Sequence, residues 1–164
     1  GCSPDEVRAA FRRLTFPVKE MQAIAKAVSV HRWVMQTAWN ESDAAKQWKT
    51  GAVDLGVEPV RHWLMVARTV CDAGSRFEDG DVPGFVWRNG EGWLAEMPVA
   101  EPKQLAVDGR EMMRELGAPS GPWLGRLLKE LTLLVATGML PNERNALIGK
   151  ACEWYAAERS KSDE

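Results

Sequence analysis

The sequence has few of the residues that mark disulfide-stabilised, metal-binding and membrane proteins. Its 164 residues include only three cysteines and two histidines. The cysteines lie far apart and show no Cys-x-x-Cys spacing, so the sequence encodes neither a disulfide framework nor a zinc site. No apolar run approaches the ~18 residues that a membrane span needs, and the amino terminus does not resemble a signal peptide. We therefore expect a soluble protein of the reducing cytoplasm that does not contact a membrane.

Motifs of the common nucleotide-binding enzymes and metalloenzymes are also absent. The sequence contains no Gly-x-x-x-x-Gly-Lys loop, no Gly-x-Gly-x-x-Gly after a strand and no His-Glu-x-x-His. His31 and His62 stand alone, so neither a metal cluster nor a histidine-activated nucleophile is predicted. Glu78, Asp79 and Asp81 are ligands of the type that Mg²⁺ prefers, but they lie in a glycine-containing loop without rigid support. We predict no catalytic residue, no metal site and no cofactor within this sequence.

The overall composition is that of a folded globular protein. Hydrophobic residues make up 45% of the chain and charged residues 27%, a mixture too apolar for a disordered protein. The formal net charge is −2, so the molecule as a whole is not a generic basic binder of nucleic acid. Any surface that binds nucleic acid must therefore be a local patch.

Hydrophobic periodicity predicts an all-α fold. Apolar residues recur at helical spacing along the chain, and capping residues or glycines mark the ends of the apolar stretches. Asn89-Gly90 is also a hairpin signal, but a lone two-stranded hairpin is marginal, so we favour a broken helix over 85–97. The helices predicted for the first 98 residues run from about Pro4 to Leu14, from Pro17 towards Trp39, from Asn40 or Ser42 through Lys49 with Gly51 as the stop, from Pro59 to Gly74, and over 85–97.

A connection with two prolines divides the chain into two predicted domains. Residues 98–109 read PVAEPKQLAVDG. We predict a multi-helix body domain over residues 1–98 and a small helical tail bundle over residues 99–164. The helices predicted for the tail run from an Asp108 cap to Gly117, from Pro122 or Trp123 to Thr137 with Gly138 as the stop, and from an Asn142 cap onwards.

The segment between the first two tail helices has the composition of an anion-binding helix start. It reads GAPSGPWLGR over residues 117–126. A helix amino terminus offers unpaired amides and a partial positive charge, and Gly121 and Gly125 leave room for a phosphate beside the backbone. Arg126 and Lys129 follow, three residues apart, where both can reach the same anion. A plain corner followed by a solvated basic face explains the same residues, and this alternative stays open.

Tryptophan is unusually frequent for a chain of this length. There are eight, and exposed aromatic rings can stack on the bases of nucleic acids. Trp63 and Trp154 lie on apolar stripes, so core packing is the role we expect for them. Trp123 differs because it lies in the first turn of its helix, beside Gly121 and Gly125.

Three motifs of the tail occur in a fixed order. They are Gly109-Arg110-Glu111-Met112, Gly121-Pro122-Trp123-Leu124-Gly125 and Gly138-Met139-Leu140-Pro141-Asn142. In this combination the segment from about Leu105 to Leu147 closely resembles the carboxyl-terminal tail of bacterial class II tRNA nucleotidyltransferases, the CCA-adding enzymes of the poly(A) polymerase superfamily. The family pattern there is Gly-Lys-Asp-Leu, then Gly-Pro-x-x-Gly, then Gly-x-Leu-x-Asn. Residues 1–98 resemble the helical body domain of these enzymes more loosely.

The resemblance implies the tRNA-holding part of a transferase whose chemistry takes place elsewhere. In this family a head carries a Gly-Ser loop and a metal-binding Asp-x-Asp, and a neck carries Glu-Asp-x-x-Arg for the incoming CTP or ATP. This sequence has neither set, since Asp79-Gly80-Asp81 lacks the strand context. The resemblance therefore implies a body-and-tail fragment that is inactive alone, with Mg²⁺, CTP and ATP used by the missing head. Whether the parent adds CCA, CC, A or poly(A) stays open.

The expected partner is tRNA, held by its acceptor stem and T arm. An alternative is a protein-interaction or dimerisation module without RNA binding, in which exposed tryptophans form a hydrophobic patch. A complete small enzyme that uses the loop over 78–81 is the weaker rival, and the sequence leaves the oligomeric state open. The residues expected to bind RNA are Arg110, Gly121, Trp123, Gly125, Arg126 and Lys129, with Arg114 and Arg144 as second choices.

Overall fold

A computed structural model describes residues 5–6, 17–72 and 84–162 of the chain. Over these residues it contains α-helices and one short 3-10 helix but no strand, so the predicted all-α fold class is confirmed. The chain divides into two compact units, Gly1–Ala95 and Glu96–Glu164. The assignment of a body to residues 1–98 and of a tail to residues 99–164 stays a prediction.

The helices are named here in chain order. No helix of the described segments is both long and apolar enough to cross a membrane. Most of the predicted first helix, as well as the acidic residues Glu78, Asp79 and Asp81, falls outside the described residues. The amino-terminal unit contains α1 (Val18–Gln36), α2 (Ala44–Leu55), α3 (Val57–Asp72) and α4 (Gly84–Ala95), and the carboxyl-terminal unit contains the 3-10 helix (Pro102–Gln104), α5 (Gly109–Leu116), α6 (Pro122–Ala136) and α7 (Arg144–Ser162).

Indole rings form much of the core of the amino-terminal unit. Trp48 of α2 is fully buried, and four other indoles lie with their ring centroids 5.5 to 6.5 Å from it. The rings meet at tilted angles, as the quadrupole of aromatic rings favours. We call the five rings the tryptophan cluster, which consists of Trp33, Trp39, Trp48, Trp63 and Trp93.

The helix stop predicted at Gly51 is wrong. Gly51 is buried inside α2, which continues to Leu55 and ends at Gly56, where φ is +96°. The reason is tertiary, because a Cβ atom on Gly51 would overlap the ring of Trp33. Glycine is needed here for the close approach of an indole and not for a left-handed turn.

Two helices of the amino-terminal unit also begin away from their predicted starts. Asp43 is the N-cap of α2, because the side chain of Asn40 instead accepts a hydrogen bond from the backbone of Ser42 at 3.2 Å and closes a turn before the helix. The next helix, α3, begins at Val57, two residues before Pro59. A proline in the first turn removes no intrahelical hydrogen bond, so the helix can begin ahead of it.

Residues 84–95 form one continuous helix, α4. The hairpin signal of Asn89-Gly90 is therefore misleading, and the helix is not broken as predicted. Gly90 lies against the core, where its carbonyl accepts a hydrogen bond of 3.1 Å from Trp48 Nε1. A Cβ atom on Gly90 would lie 2.9 Å from Leu64 Cδ2 and 3.1 Å from the ring of Trp48. The missing side chain thus makes room for the core.

The carboxyl-terminal unit is built around the apolar face of α6. Leu127, Leu131 and Val135 recur along this face and are fully buried. The predicted cap of α5 is confirmed, since the Asp108 carboxylate accepts a hydrogen bond of 2.8 Å from the backbone of Glu111. The glycine stops of α5 and α6 are confirmed by the positive φ of Gly117 and Gly138. The buried core of the unit comprises Val99, Leu105, Val107, Met112, Leu127, Leu131, Val135, Leu147 and Ala151.

Asn142 does not cap the last helix as predicted, because α7 begins at Arg144. The amide group of Asn142 is used by the chain before α5. Its Oδ1 accepts a hydrogen bond of 2.8 Å from the backbone of Ala106, and its Nδ2 donates one of 3.0 Å to the carbonyl of Gln104. This side chain therefore ties the connection before α7 to the connection before α5.

We predict that Gly90→Ala lowers the free energy of unfolding by about 1–3 kcal/mol, because the added methyl group overpacks the core against Leu64 and Trp48. Urea unfolding followed by tryptophan fluorescence measures this change. Gly92→Ala is the matched control on the same helix, because no atom lies within 4 Å of a Cβ there. The control should raise stability by up to about 1 kcal/mol through helix propensity. Equal effects of the two substitutions would contradict the packing argument.

Candidate nucleic-acid interface

The first turn of α6 has no side-chain cap. Gly121 is its N-cap residue in an extended conformation, Pro122 is the first helical residue, and Gly121 provides no side chain that could accept from the amides. The neighbouring helix α5 differs, since Asp108 caps its first turn. The positive end of α6 is therefore not neutralised by a carboxylate of its own cap, and this is the local condition for binding an anion.

The two corner glycines play different structural roles. A Cβ atom on Gly121 would lie 3.0 Å from Trp123 Cδ1, so this glycine makes room for the indole. Gly125 is exposed on α6, and no atom lies within 4 Å of a Cβ at this position. Glycine is not required by packing at Gly125, which leaves the backbone of this turn open to a ligand.

Trp123 is held by the protein itself. Its Nε1 donates a hydrogen bond of 3.0 Å to the carbonyl of Pro119, and its ring centroid lies 5.0 Å from that of Tyr155 on α7. All eight tryptophans of the chain lie in the described segments, and each is buried or half-buried. The patch of exposed tryptophans on which the interaction-module alternative depends is therefore not present. These contacts indicate that the ring of Trp123 packs over the corner between α5 and α6.

The two cations of α6 are both exposed and both engaged. Arg126 Nη1 lies 2.8 Å from Glu158 Oε1 on α7. Lys129 also has an interaction partner, so it is not a free cation. The structure thus brings Gly121, Gly125, Arg126 and Lys129 onto the first two turns of one helix, as the sequence predicted, and adds an acidic neighbour that the sequence did not reveal.

The second-choice arginines, Arg144 of α7 and Arg114 of α5, share the two carboxylates Glu111 and Glu115 of α5. Arg144 Nε lies 2.7 Å from Glu111 Oε1, and Arg144 Nη2 lies 2.8 Å from Glu115 Oε1. Arg114 Nη2 approaches the same carboxylates at 3.6 and 3.7 Å. The hydrogen bond with Glu111 is the main cause that raises the pKa of Arg144, and the charges of both carboxylates add to it. Arg144 therefore links α7 to α5, whereas Arg114 pairs with carboxylates of its own helix, and Arg110 is exposed in the first turn of α5.

Sequence reasoning missed the carboxylates beside the cations. Glu111 and Glu115 are four residues apart on α5, so helical spacing alone could have indicated a paired acidic site. No such local signal exists for Glu158, which meets Arg126 only through the packing of α6 on α7. Within the described segments, no group of three His, Cys, Asp or Glu side chains is arranged to hold a metal ion.

Comparison with known proteins finds a similarity over part of the carboxyl-terminal region. Residues 91–151 match the family model of tRNA nucleotidyltransferase domain 2. The CCA-adding enzyme of Limosilactobacillus reuteri (strain DSM 20016) is 36% identical over 58 residues, which are 35% of this chain and 14% of that enzyme. The CCA-adding enzyme of Levilactobacillus brevis is 46% identical over 52 residues, which are 32% of this chain and 13% of that enzyme.

A third relative is the CCA-adding enzyme of Staphylococcus aureus (strain MRSA252), which is 34% identical over 55 residues, or 34% of this chain and 14% of that enzyme. No solved structure matches the chain at a significant level. Over this matched segment the chain is similar to the tRNA nucleotidyltransferase family. The similar relatives carry the name CCA-adding enzyme, and the aligned part of the chain spans 14% of the length of the first of them.

We predict that Trp123→Phe lowers the free energy of unfolding of the carboxyl-terminal unit by about 1 kcal/mol, because the hydrogen bond to Pro119 is lost while a ring still faces Tyr155. Thermal unfolding followed by far-ultraviolet circular dichroism measures the loss. Trp154→Phe is the control for ring size, since that indole packs against the core of the same unit. A Trp123→Phe protein as stable as the parent would show that this bond does not hold the corner.

Proposed function

We propose that this chain is the carboxyl-terminal tRNA-binding part of a CCA-adding tRNA nucleotidyltransferase, and that its carboxyl-terminal unit holds the acceptor stem and T arm. The observation that carries the proposal is the uncapped start of α6, which lies inside the segment that matches the family. Nucleotide addition from CTP and ATP with Mg²⁺ would take place in a head and neck that this sequence does not contain. The enzyme would act in the cytoplasm.

The chemistry of double-stranded RNA suits such a surface. A-form RNA is recognised mainly by its shape and through phosphates and 2′-hydroxyl groups, because side chains cannot read its deep, narrow major groove. Pro122 has no N–H group, and the amide of Leu124 donates a hydrogen bond of 3.1 Å to the carbonyl of Gly121, so the uncapped first turn offers a phosphate the amide of Trp123. Arg126 and Lys129 follow within two turns. In this proposal the corner fixes one phosphate of the acceptor and T-arm stack.

The binding is expected to be modest and sensitive to salt. From residue 96 to the carboxyl terminus, eleven Asp and Glu residues outnumber nine Lys and Arg residues. Long-range attraction to RNA is therefore weak, and affinity has to come from a few close phosphate contacts. Each contact releases condensed counterions, so the number of contacts can be read from the dependence of affinity on salt.

We predict that the double substitution Arg126→Ala and Lys129→Ala weakens binding of a minihelix of the acceptor and T arms roughly tenfold. The slope of log affinity against log salt should fall by about two, one for each lost phosphate contact. Titration of the purified chain at several salt concentrations measures both quantities.

The control for this titration is the pair Lys103→Ala and Lys150→Ala, which removes the same charge. These lysines are also ion-paired on the carboxyl-terminal unit, with Glu101 and Glu153. The control pair should change affinity and salt slope much less than the corner pair does. An unchanged slope in the corner pair would rule out phosphate binding by Arg126 and Lys129.

We predict that Gly125→Ala weakens binding of the minihelix severalfold without loss of stability, because a methyl group blocks the approach of a phosphate to the backbone. Gly149→Ala on α7 is the matched control, since it too meets no atom within 4 Å. Both substitutions should raise the free energy of unfolding by up to about 1 kcal/mol, as glycine-to-alanine changes in exposed helices do. Unchanged RNA affinity in Gly125→Ala would argue against backbone contact at the corner.

A further inference from the structure

The ion pair between Arg126 and Glu158 lies within the proposed phosphate-binding turn. The atoms Arg126 Nη1 and Glu158 Oε1 are 2.8 Å apart. The side chain of Arg126 is 62% exposed, whereas that of Glu158 is only 25% exposed. The guanidinium therefore remains accessible from solvent, while the carboxylate is held against the protein.

The position of Glu158 relative to α6 is fixed by the packing of α7. Trp123 contacts Tyr155 with a ring distance of 5.0 Å, three residues before Arg126 and Glu158 on their respective helices. This contact holds the carboxyl-terminal half of α7 beside the start of α6. The carboxylate is therefore a built-in neighbour of the corner and does not depend on a mobile loop.

A carboxylate and a phosphate compete for the same guanidinium. Both are oxyanions that accept charge-assisted hydrogen bonds from arginine, and both are attracted by the amino end of a helix. A carboxylate attached to the adjacent helix has a high effective concentration at Arg126, so an incoming phosphate has to displace it. Because the carboxylate has to be displaced from Arg126, phosphate binds more weakly than the two positive charges of α6 alone would predict.

We infer that Glu158 is an intramolecular competitor that occupies Arg126 in the free protein and is displaced by an RNA phosphate. The inference rests on the proposed function and assigns Glu158 a role in limiting the affinity of that site. Such a competitor lowers the affinity for an isolated anion, which makes one contact. It lowers the affinity for an RNA stem less, because the stem presents phosphates to several residues at once. It thereby favours an extended RNA surface over free phosphate.

The first test compares Glu158→Gln with Glu153→Gln in titrations with the acceptor and T-arm minihelix. Glu153 lies on the same helix and is paired with Lys150, so its substitution changes the net charge equally. Glu158→Gln should raise the affinity about two- to five-fold, the range that breaking an exposed ion pair allows. The rise with Glu153→Gln should be smaller, because only the general charge of the molecule changes.

The second test repeats Glu158→Gln in the Arg126→Ala background. If Glu158 acts through Arg126, its effect there should shrink to that of Glu153→Gln. Equal effects of the two glutamate substitutions in the parent protein would overturn the inference. So would weaker binding by Glu158→Gln, because the carboxylate would then be positioning Arg126 for RNA.

A third measurement separates this inference from the proposed function, since it does not use RNA. Inorganic phosphate is titrated into the parent protein and Glu158→Gln, and the Nε–H resonance of Arg126 is followed by NMR. Tighter phosphate binding in Glu158→Gln supports competition even if the minihelix does not bind, in which case only the proposed function fails. Equal phosphate binding in the two proteins overturns the inference.

Discussion

The burial of one face of α6 is the interaction on which the carboxyl-terminal unit depends. Leu127, Leu131 and Val135 lie in one core cluster with Met112 of α5 and Leu147 of α7. Because the three residues of α6 recur every four positions, they fix the rotation of the helix about its own axis. The polar residues and the amino end of the helix are then left at the surface. The open corner is thus a consequence of core packing.

The arginines at this surface form ion pairs with neighbouring glutamates. Arg126 of α6 contacts Glu158 of α7, and Arg144 of α7 contacts Glu111 and Glu115 of α5. Exposed pairs of this kind contribute little to stability, but they lower the free positive charge that a nucleic acid would meet. A surface built in this way depends on close geometry more than on long-range attraction. The weakly acidic composition and an RNA-binding role are therefore compatible.

In the amino-terminal unit, local sequence patterns are misleading where glycine meets tryptophan. The patterns predict a helix stop at Gly51 and offer a hairpin signal at Gly90, yet both residues are buried inside helices. In each case the absent Cβ makes room for an indole of another helix, Trp33 of α1 at Gly51 and Trp48 of α2 at Gly90. Local propensity cannot distinguish a glycine that breaks a helix from one that accepts a large neighbour. That distinction requires knowledge of the tertiary contact.

The sequence by itself determined the all-α class, the Asp108 cap, the glycine stops at Gly117 and Gly138, and the family resemblance. These features depend on hydrogen bonds and periodicities within a few residues, which can be read from the sequence. Only the tertiary structure decided which groups face the corner. The ring of Trp123 packs against that of Tyr155, and Arg126 pairs with Glu158, which lies more than thirty residues away in the sequence. Such partners are set by how buried helix faces pack together, and no local pattern of residues records that geometry.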